Sequence, residues 1–380
     1  MAARKLGPRT PRLAGAANRT AQVDGLVCAG TATVAEALAR IDRATPNLFQ
    51  IVVSADRRVL GTVTDGDVRR AMLRGVGMAD PVTRCMRATP ILGRVGEDVT
   101  NAVLLRRAWF LPVVEKRGRL DHVLVQRRFE QPMNHALVMA GGFGRRLGGL
   151  TRDTAKPLLE VGGRRILDRV LEQLELAGVG VIHIAVHYKA QMVKDFIRAR
   201  NNLAQMSFIE ESEPLGTAGA IAQLANRIDE PLLVTNGDVL TEVNFRSLGE
   251  FNARHGYDGT IAVSRYDTQV PFGVIRQTPD GAFAGIDEKP SVTHFVAAGL
   301  YYLSPEFVAL APRGRAVDMP ELLMLGANAG LRIGLFPVHE YWKDVGRPDD
   351  LVQAGRDFGA PKGAPTRKRP TAGKKKRARR

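Results

Sequence analysis

Two hydrophobic rhythms run along the chain, and one gives way to the other near residue 135. From Val23 to about Arg128, apolar runs of strand length alternate with stretches whose apolar residues recur every three or four positions. Val34, Ala37, Leu38 and Ile41 share one helical face and predict a helix over 33–41, while the runs 49–53 and 59–63 predict strands. A helix over 68–74 follows, with Asp67 placed to cap it. Asp80 and Pro81 then open a second, similar pass: helix 99–106, strand 111–114, a turn at Arg117 and Gly118, and strand 121–125. Repetition at about 60 residues predicts two copies of one unit packed together.

Residues 129–134 include Pro132 and read as a linker. Beyond them, 135–140 is a buried-strand run, and 164–177 is an amphipathic helix with Ile166, Val170 and Leu174 on one face. Strands are expected at 181–186, 206–209, 231–235, 260–265 and 298–303, with helices between most of them. Such alternation predicts a mainly parallel sheet covered on both faces, with chemistry at the carboxyl ends of its strands.

Composition adjusts this picture only at the ends. The 380 residues are 44% hydrophobic and 25% charged, as in ordinary globular proteins, and no apolar run has the length of a membrane span. A soluble, cytoplasmic protein is expected. Of the net charge of +16, residues 1–20 supply five cations without an acid and residues 361–380 supply ten. The body is close to neutral, so specific nucleic-acid binding is not expected, and the tails read as solvated appendages. The expected organisation is a disordered basic leader (1–22), a small α/β domain (23–130), a larger domain (135–358) and a disordered basic tail (359–380). Cys28 and Cys85 are too few for a disulfide framework or a thiolate metal site, and the seven histidines lack metal-ligand spacing.

The chemistry begins where strand 135–140 runs into Gly141, Gly142, Phe143, Gly144, Arg145 and Arg146, with Lys156 following. Glycines let backbone N–H groups approach phosphates, and the cations add charge that those neutral groups lack. Two commoner phosphate loops are excluded by position. The sixth place of a G-x-G-x-x-G begun at Gly142 is Leu147, and Gly149 is followed by Leu150 rather than lysine. Further on, Asn236, Gly237 and Asp238 close a strand, and Tyr341 to Gly346 carries Asp344. Two carboxylates beside a triphosphate suit Mg²⁺, which keeps most of its waters and takes few protein oxygens.

The glycine loop with Arg146 and Lys156, the segment Leu215, Gly216, Thr217, Ala218, Gly219, then Asn236 to Asp238, Glu288 to Pro290 and Trp342 to Gly346 follow in this order. This arrangement, from His135 to about Gly355, strongly resembles the sugar-1-phosphate nucleotidylyltransferase family. The resemblance implies a Rossmann-like, GT-A-like fold and transfer of a nucleoside monophosphate to a sugar 1-phosphate with release of pyrophosphate. It also implies site roles. Ala140, Gly141, Gly142, Gly144, Gly216 and Thr217 would bind nucleotide; Arg146 would hold the β- and γ-phosphates, and Lys156 would stand near the α-phosphate. Asp238 and Asp344 would hold Mg²⁺; Lys289 would take the sugar phosphate, Glu288 a sugar hydroxyl, and Gly273 would admit the sugar. The position five before Gly216 meets the base, and here it is Glu211. A carboxylate only accepts hydrogen bonds, which favours the paired donors of guanine, and hence GTP, over uracil or thymine.

Gly61 to Asp67, a strand ending in Thr-x-x-Asp, resembles a CBS-type domain pair, which implies an adenine nucleotide at Thr64 and Asp67. The second repeat lacks that ending. A CBS pair ahead of the transferase resembles the subgroup that includes glucosamine-1-phosphate guanylyltransferase of nonulosonic acid synthesis, and implies a homo-oligomer. Departures from the family pattern are Arg145, Gly148, Gly149, Ala155 and, in the sugar segment, Ala297. Two alternatives stay open: a UTP- or dTTP-dependent transferase, and a catalytically inactive nucleotide sensor.

Overall fold

The repeat predicted at the front of the chain is visible strand by strand in the computed structural model, which describes residues 19–20, 23–44, 47–105, 108–125 and 133–359. Strand Val27–Ala29 pairs in parallel with Phe49–Val53, which pairs antiparallel with Val59–Thr64. In the second copy, Gly93–Arg94 pairs in parallel with Phe110–Val114, and that strand antiparallel with Leu120–Val125. A helix joins the first two strands of each copy, Val34–Arg43 and Asp98–Leu105. The copies meet through Phe49 and Phe110, whose rings stack with centroids 3.8 Å apart over a core holding Ile51, Leu120 and Val123.

Helix Val34–Arg43 starts because Thr33 closes a capping box with Glu36, and its Val34, Ala37, Leu38 and Ile41 are buried. Burial of each larger aliphatic residue stabilises by about 1.5–3 kcal/mol. The next helix runs Asp65–Leu73, and its N-cap is Thr64. The expectation that Asp67 caps this helix is corrected: Asp67 is the third helical residue, and its carboxylate accepts the Thr64 N–H as the reciprocal half of a capping box. Arg19–Thr20, expected inside the disordered leader, pairs antiparallel with Leu124–Val125. Residues 1–18 and the basic tail from 360 lie outside the described residues, as do Gln126 to Arg128 and most of the expected linker.

The chain divides into two compact units, and the division does not follow the sequence linearly. The first comprises Met1–Pro132, Arg246–Ala297 and Gly334–His339; the second comprises Met133–Phe245, Ala298–Ile333 and Glu340–Arg380. Within the first, helix Asp65–Leu73 is bound to strand Ile333–Val338 by Arg69, which is 1% exposed. Its Nε donates to Asp65 at 2.7 Å, its Nη1 donates to the Pro337 carbonyl at 2.6 Å, and its guanidinium lies 3.7 Å from the Phe336 ring centroid. A charge so buried is tolerable only when its donors are satisfied.

In the second unit the strands Gln205–Glu210, Val181–Val186, His135–Met139 and Leu232–Asn236 lie side by side in that order, all parallel. Leu232–Asn236 also pairs antiparallel with the end of the strand Ser291–Leu303, through Leu300 to Leu303. The inner parallel strands are largely apolar because both faces are covered, and Leu137, Val138, Ile182, Ile184, Leu233 and Val234 are fully buried, whereas the edge strand Gln205–Glu210 is mostly half-exposed. The expected helix 164–177 is observed as Ile166–Leu176, since Arg164–Arg165 pair as a short strand with Glu160–Val161. His135 and His183 stack on one another inside this sheet, and burial lowers the His183 imidazole to about 4, which keeps it neutral. No helix of the described residues is long and apolar enough to cross a membrane.

Candidate active site

All three parallel strands nearest the centre of this sheet end beside the glycine loop. Gly237 N–H donates to the Met139 carbonyl at 2.9 Å, and a Cβ on Gly237 would stand 2.9 Å from that same oxygen. Only glycine lets the two chains touch there. Past the buried Ala140, the loop turns at Gly144, whose φ of +66° is left-handed and whose Cβ would collide with Thr151 Cγ2 at 2.7 Å. The Thr151 hydroxyl donates to the Gly144 carbonyl at 3.0 Å and closes the loop. Lys189 holds it from outside, donating from Nζ to the Thr151 carbonyl at 3.0 Å and also to that of Arg152.

A two-stranded ribbon brings the carboxylates together. Val239–Thr241 pairs antiparallel with Trp342–Asp344, with Val239 opposite Asp344, and Val345 N–H donates to the Asp238 carbonyl at 3.2 Å. Lys156, 8% exposed, ion-pairs with Asp238. Asp344 is half-buried, and its carboxyl is pushed above the ordinary range by burial and then by the Asp238 charge, with Lys156 and Arg146 pulling the other way. Arg146 is exposed and forms no ion pair among the described residues. A Cβ on Gly346 would stand 3.5 Å from Asp344 Oδ2 and 3.7 Å from Arg146 Cζ, so the cation and the carboxylate converge there. The structure therefore brings together Arg146, Lys156, Asp238 and Asp344.

The donor set fits a divalent cation. Two hard carboxylates lie side by side, one of them with a raised proton affinity that a cation would relieve. Among the described residues no group of three or more His, Cys, Asp or Glu side chains converges on a metal position.

Glu211 follows the strand Gln205–Glu210 and faces Gly141, where a Cβ would stand 3.6 Å from its Oε2. Its Oε1 is buried with no hydrogen-bond partner among the described residues. Burial raises the carboxyl above its ordinary range, opposed by the Leu215 N–H and by His187. Gly216 is left-handed at φ +79°, and a Cβ there would strike the Val317 carbonyl at 2.6 Å. The Thr217 N–H and hydroxyl both donate to Asp318, at 2.9 and 3.1 Å, and its hydroxyl accepts from Met319 N–H at 2.8 Å. The structure thus gives Thr217 a helix-capping contact.

Five expected site residues lie in the first unit. Gly273 pairs with Glu288 across the hairpin Gly273–Gln277 and Phe283–Glu288, and a Cβ on Gly273 would stand 3.0 Å from Glu288 Oε2. Lys289 follows at a left-handed φ of 49°, exposed, its N–H donating to the Phe272 carbonyl at 3.3 Å. Thr64 and Asp67 also belong to this unit.

Sequence reasoning missed His187, Lys189 and Asp318. His187 directly follows strand Val181–Val186, and its Nδ1 donates to the Glu211 carbonyl at 2.8 Å; the rule that strand ends carry chemistry could have found it. Asp318 precedes the helical Met319 and Pro320, a visible helix start. Lys189 sits at a left-handed φ of 54°, for which no residue-type signal existed.

The family pattern described as nucleotidyl transferase matches residues 135–360. Mannose-1-phosphate guanyltransferase of Aspergillus fumigatus is 34% identical over 229 residues, covering 57% of this chain and 62% of that protein. Mannose-1-phosphate guanylyltransferase catalytic subunit beta of Drosophila melanogaster is 33% identical over 229 residues, covering 57% and 60%. The chain thus spans less than two thirds of the length of the curated relatives it matches. A crystal structure of HddC from Yersinia pseudotuberculosis is 29% identical, covers 60% of this chain and all of its own, and superposes with a TM-score of 0.48. On the extent of the family match, the chain belongs to the nucleotidyl transferase family.

Proposed function

We propose that the protein is a sugar-1-phosphate guanylyltransferase: it transfers GMP from GTP to a hexose or hexosamine 1-phosphate and releases pyrophosphate. The observation that carries this reading is the convergence of Arg146, Lys156, Asp238 and Asp344 beside the glycine loop. Similarity to guanyltransferases over 229 residues supports it.

In the reaction, a phosphate oxygen of the sugar phosphate attacks the α-phosphorus in line and the bond to the β-phosphate oxygen breaks, so no enzyme-bound intermediate is needed. The protein contributes position and charge. Backbone N–H groups of Gly141, Gly142 and Gly144 lie against the phosphates, Arg146 forks onto the β- and γ-phosphates, and Lys156 faces the α-phosphate. Asp238 and Asp344 would hold Mg²⁺, which would supply positive charge to offset that of the reacting phosphates. Glu211 accepts from guanine N1–H and N2–H; its unpartnered buried Oε1 supports this role. Glu288 and Lys289 take the sugar hydroxyl and its phosphate, with Gly273 giving the sugar room.

The same reading takes the front repeat as a CBS-type pair that binds an adenine nucleotide at Thr64 and Asp67, and places the enzyme in the cytoplasm as a homo-oligomer. A colorimetric pyrophosphate assay tests the activity, using purified protein, Mg²⁺, each nucleoside triphosphate and a panel of sugar 1-phosphates. GTP-dependent release with one or a few sugars is expected. Release with UTP and not GTP would overturn the base assignment, and no release with any pair would overturn the enzyme.

A further inference from the structure

Strand Val181–Val186 runs in parallel between two others, His135–Met139 on one side and Gln205–Glu210 on the other. The glycine loop leaves the first neighbour and Glu211 leaves the second, with Ala185 opposite Met139 and Val186 opposite Glu210. In a parallel sheet, the residues that follow a middle strand emerge between what its neighbours deliver. Here they are His187, Tyr188 and Lys189.

The three residues reach different parts of the site. Tyr188 N–H donates to the Gly141 carbonyl at 3.4 Å, and a Cβ on Gly141 would stand 3.2 Å from both N and Cβ of His187, so the segment lies against the start of the glycine loop. The Phe143 ring packs on it, its centroid 5.5 Å from that of His187 and 5.3 Å from that of Tyr188. His187 Nδ1 donates to the Glu211 carbonyl at 2.8 Å. Lys189 Nζ donates to the carbonyls of Thr151 and Arg152, where the helical turn Arg145–Thr151 ends. The last carbonyls of a helical turn lack partners within it, and an ammonium there satisfies them and opposes their negative end. Lys189 does this from a left-handed φ of 54°, which a residue with a side chain keeps only where its surroundings hold it.

We infer that His187 and Lys189 are positioning residues that set base recognition and triphosphate recognition separately. Lys189 fixes the far end of the glycine loop, and with it the backbone N–H groups and Arg146, for a triphosphate of any base. His187 fixes the Glu211 backbone, and with it the carboxylate that meets the guanine edge. Each acts through a carbonyl it holds and not on the reacting atoms. The inference rests on the guanylyltransferase reading of this site.

Steady-state kinetics of the full chain with GTP and with ITP, which lacks only the guanine N2 amino group, separates the two roles. Lys189→Met should raise the KM for both triphosphates by about tenfold, leaving the GTP-to-ITP ratio of kcat/KM and the KM for the sugar 1-phosphate within about twofold of wild type. His187→Phe keeps a ring against Phe143 and removes the donor, and it should lower that ratio by about threefold or more. Lys189→Arg and His187→Asn retain a donor and should restore most of each loss. Thermal melting identifies a variant that fails to fold, and Lys189→Gln or His187→Leu then takes its place. An unchanged triphosphate KM in Lys189→Met, an unchanged ratio in His187→Phe, or both properties moving together in either variant would overturn the inference, while GTP-dependent turnover by wild type keeps the reaction. If wild type releases no pyrophosphate with any pair, the guanylyltransferase reading falls, and calorimetric titration with GTP and ITP alone makes the same comparison by Kd. A wild type that binds neither overturns both.

Discussion

Replacing Glu211 by glutamine perturbs one buried oxygen and little else. In the wild type, Oε1 is enclosed without a partner and Oε2 faces Gly141. Guanine would supply two donors to this carboxylate. A glutamine keeps the size but offers one acceptor and one NH₂, so one charge-assisted bond is lost and an N–H faces the guanine N2 amino group. Loss of a charge-assisted bond, with the clash of donors added, costs about 2–4 kcal/mol, or roughly 30- to 900-fold in kcat/KM for GTP. Uracil, with one donor between two carbonyls, matches the amide better, so the UTP rate should rise. The variant should melt no lower than wild type, because the raised carboxyl makes Glu211 a native-state liability. Its native proton affinity exceeds the unfolded one, so its contribution to stability falls as pH rises out of the ordinary carboxylate range, and the amide removes that dependence. Steady-state kinetics with GTP and UTP, and melting at two pH values, provide the check. A GTP kcat/KM changed by less than about threefold, with UTP unchanged, would refute the pairing of Glu211 with guanine.

Asp344→Asn should raise the melting temperature of the metal-free protein above the ordinary carboxylate range, because it removes a carboxyl held high by burial and by Asp238, while abolishing turnover and the stabilisation by Mg²⁺ seen in differential scanning fluorimetry. In the wild type that Mg²⁺ stabilisation should grow from acid to neutral pH, since protons compete for Asp344. Gly144→Ala forces a side chain into a left-handed turn and against Thr151, which should cost about 1–3 kcal/mol and raise the KM for GTP more than that for the sugar phosphate. Arg69→Met takes the guanidinium from the buried Asp65, leaving His339 beside it, and should cost about 3–5 kcal/mol by urea unfolding.

The inner parallel strands were legible because they are apolar runs of strand length, such as Leu232–Asn236, and the phosphate loop because its glycines are followed by cations. The repeat was legible because the order helix, strand, turn, strand recurs after about 60 residues. Pairings that depend on long-range contact were not. Nothing in the local sequence tied Asp238 to Asp344; the short ribbon of Val239–Thr241 with Trp342–Asp344 does so across about a hundred residues, and no propensity encodes such pairing. The cap of helix Asp65–Leu73 was misplaced because Thr64 and Asp67 are both good capping residues, and only the extended φ of Thr64, −115°, decides between them. The contact of His255 with Arg70, 185 positions away in the chain, has no local signal either.

The clasp of Arg69 on Pro337 and Phe336 makes the front repeat a poor candidate for removal. Cutting the chain at residue 133 would leave the Pro337 carbonyl without its guanidinium donor and bare the rings of Phe336 and Phe251, which are now 0% and 3% exposed. The shortened protein would carry a sticky surface where the intact one has a core, so loss of activity after such a truncation reports damage to folding and solubility before it reports on regulation.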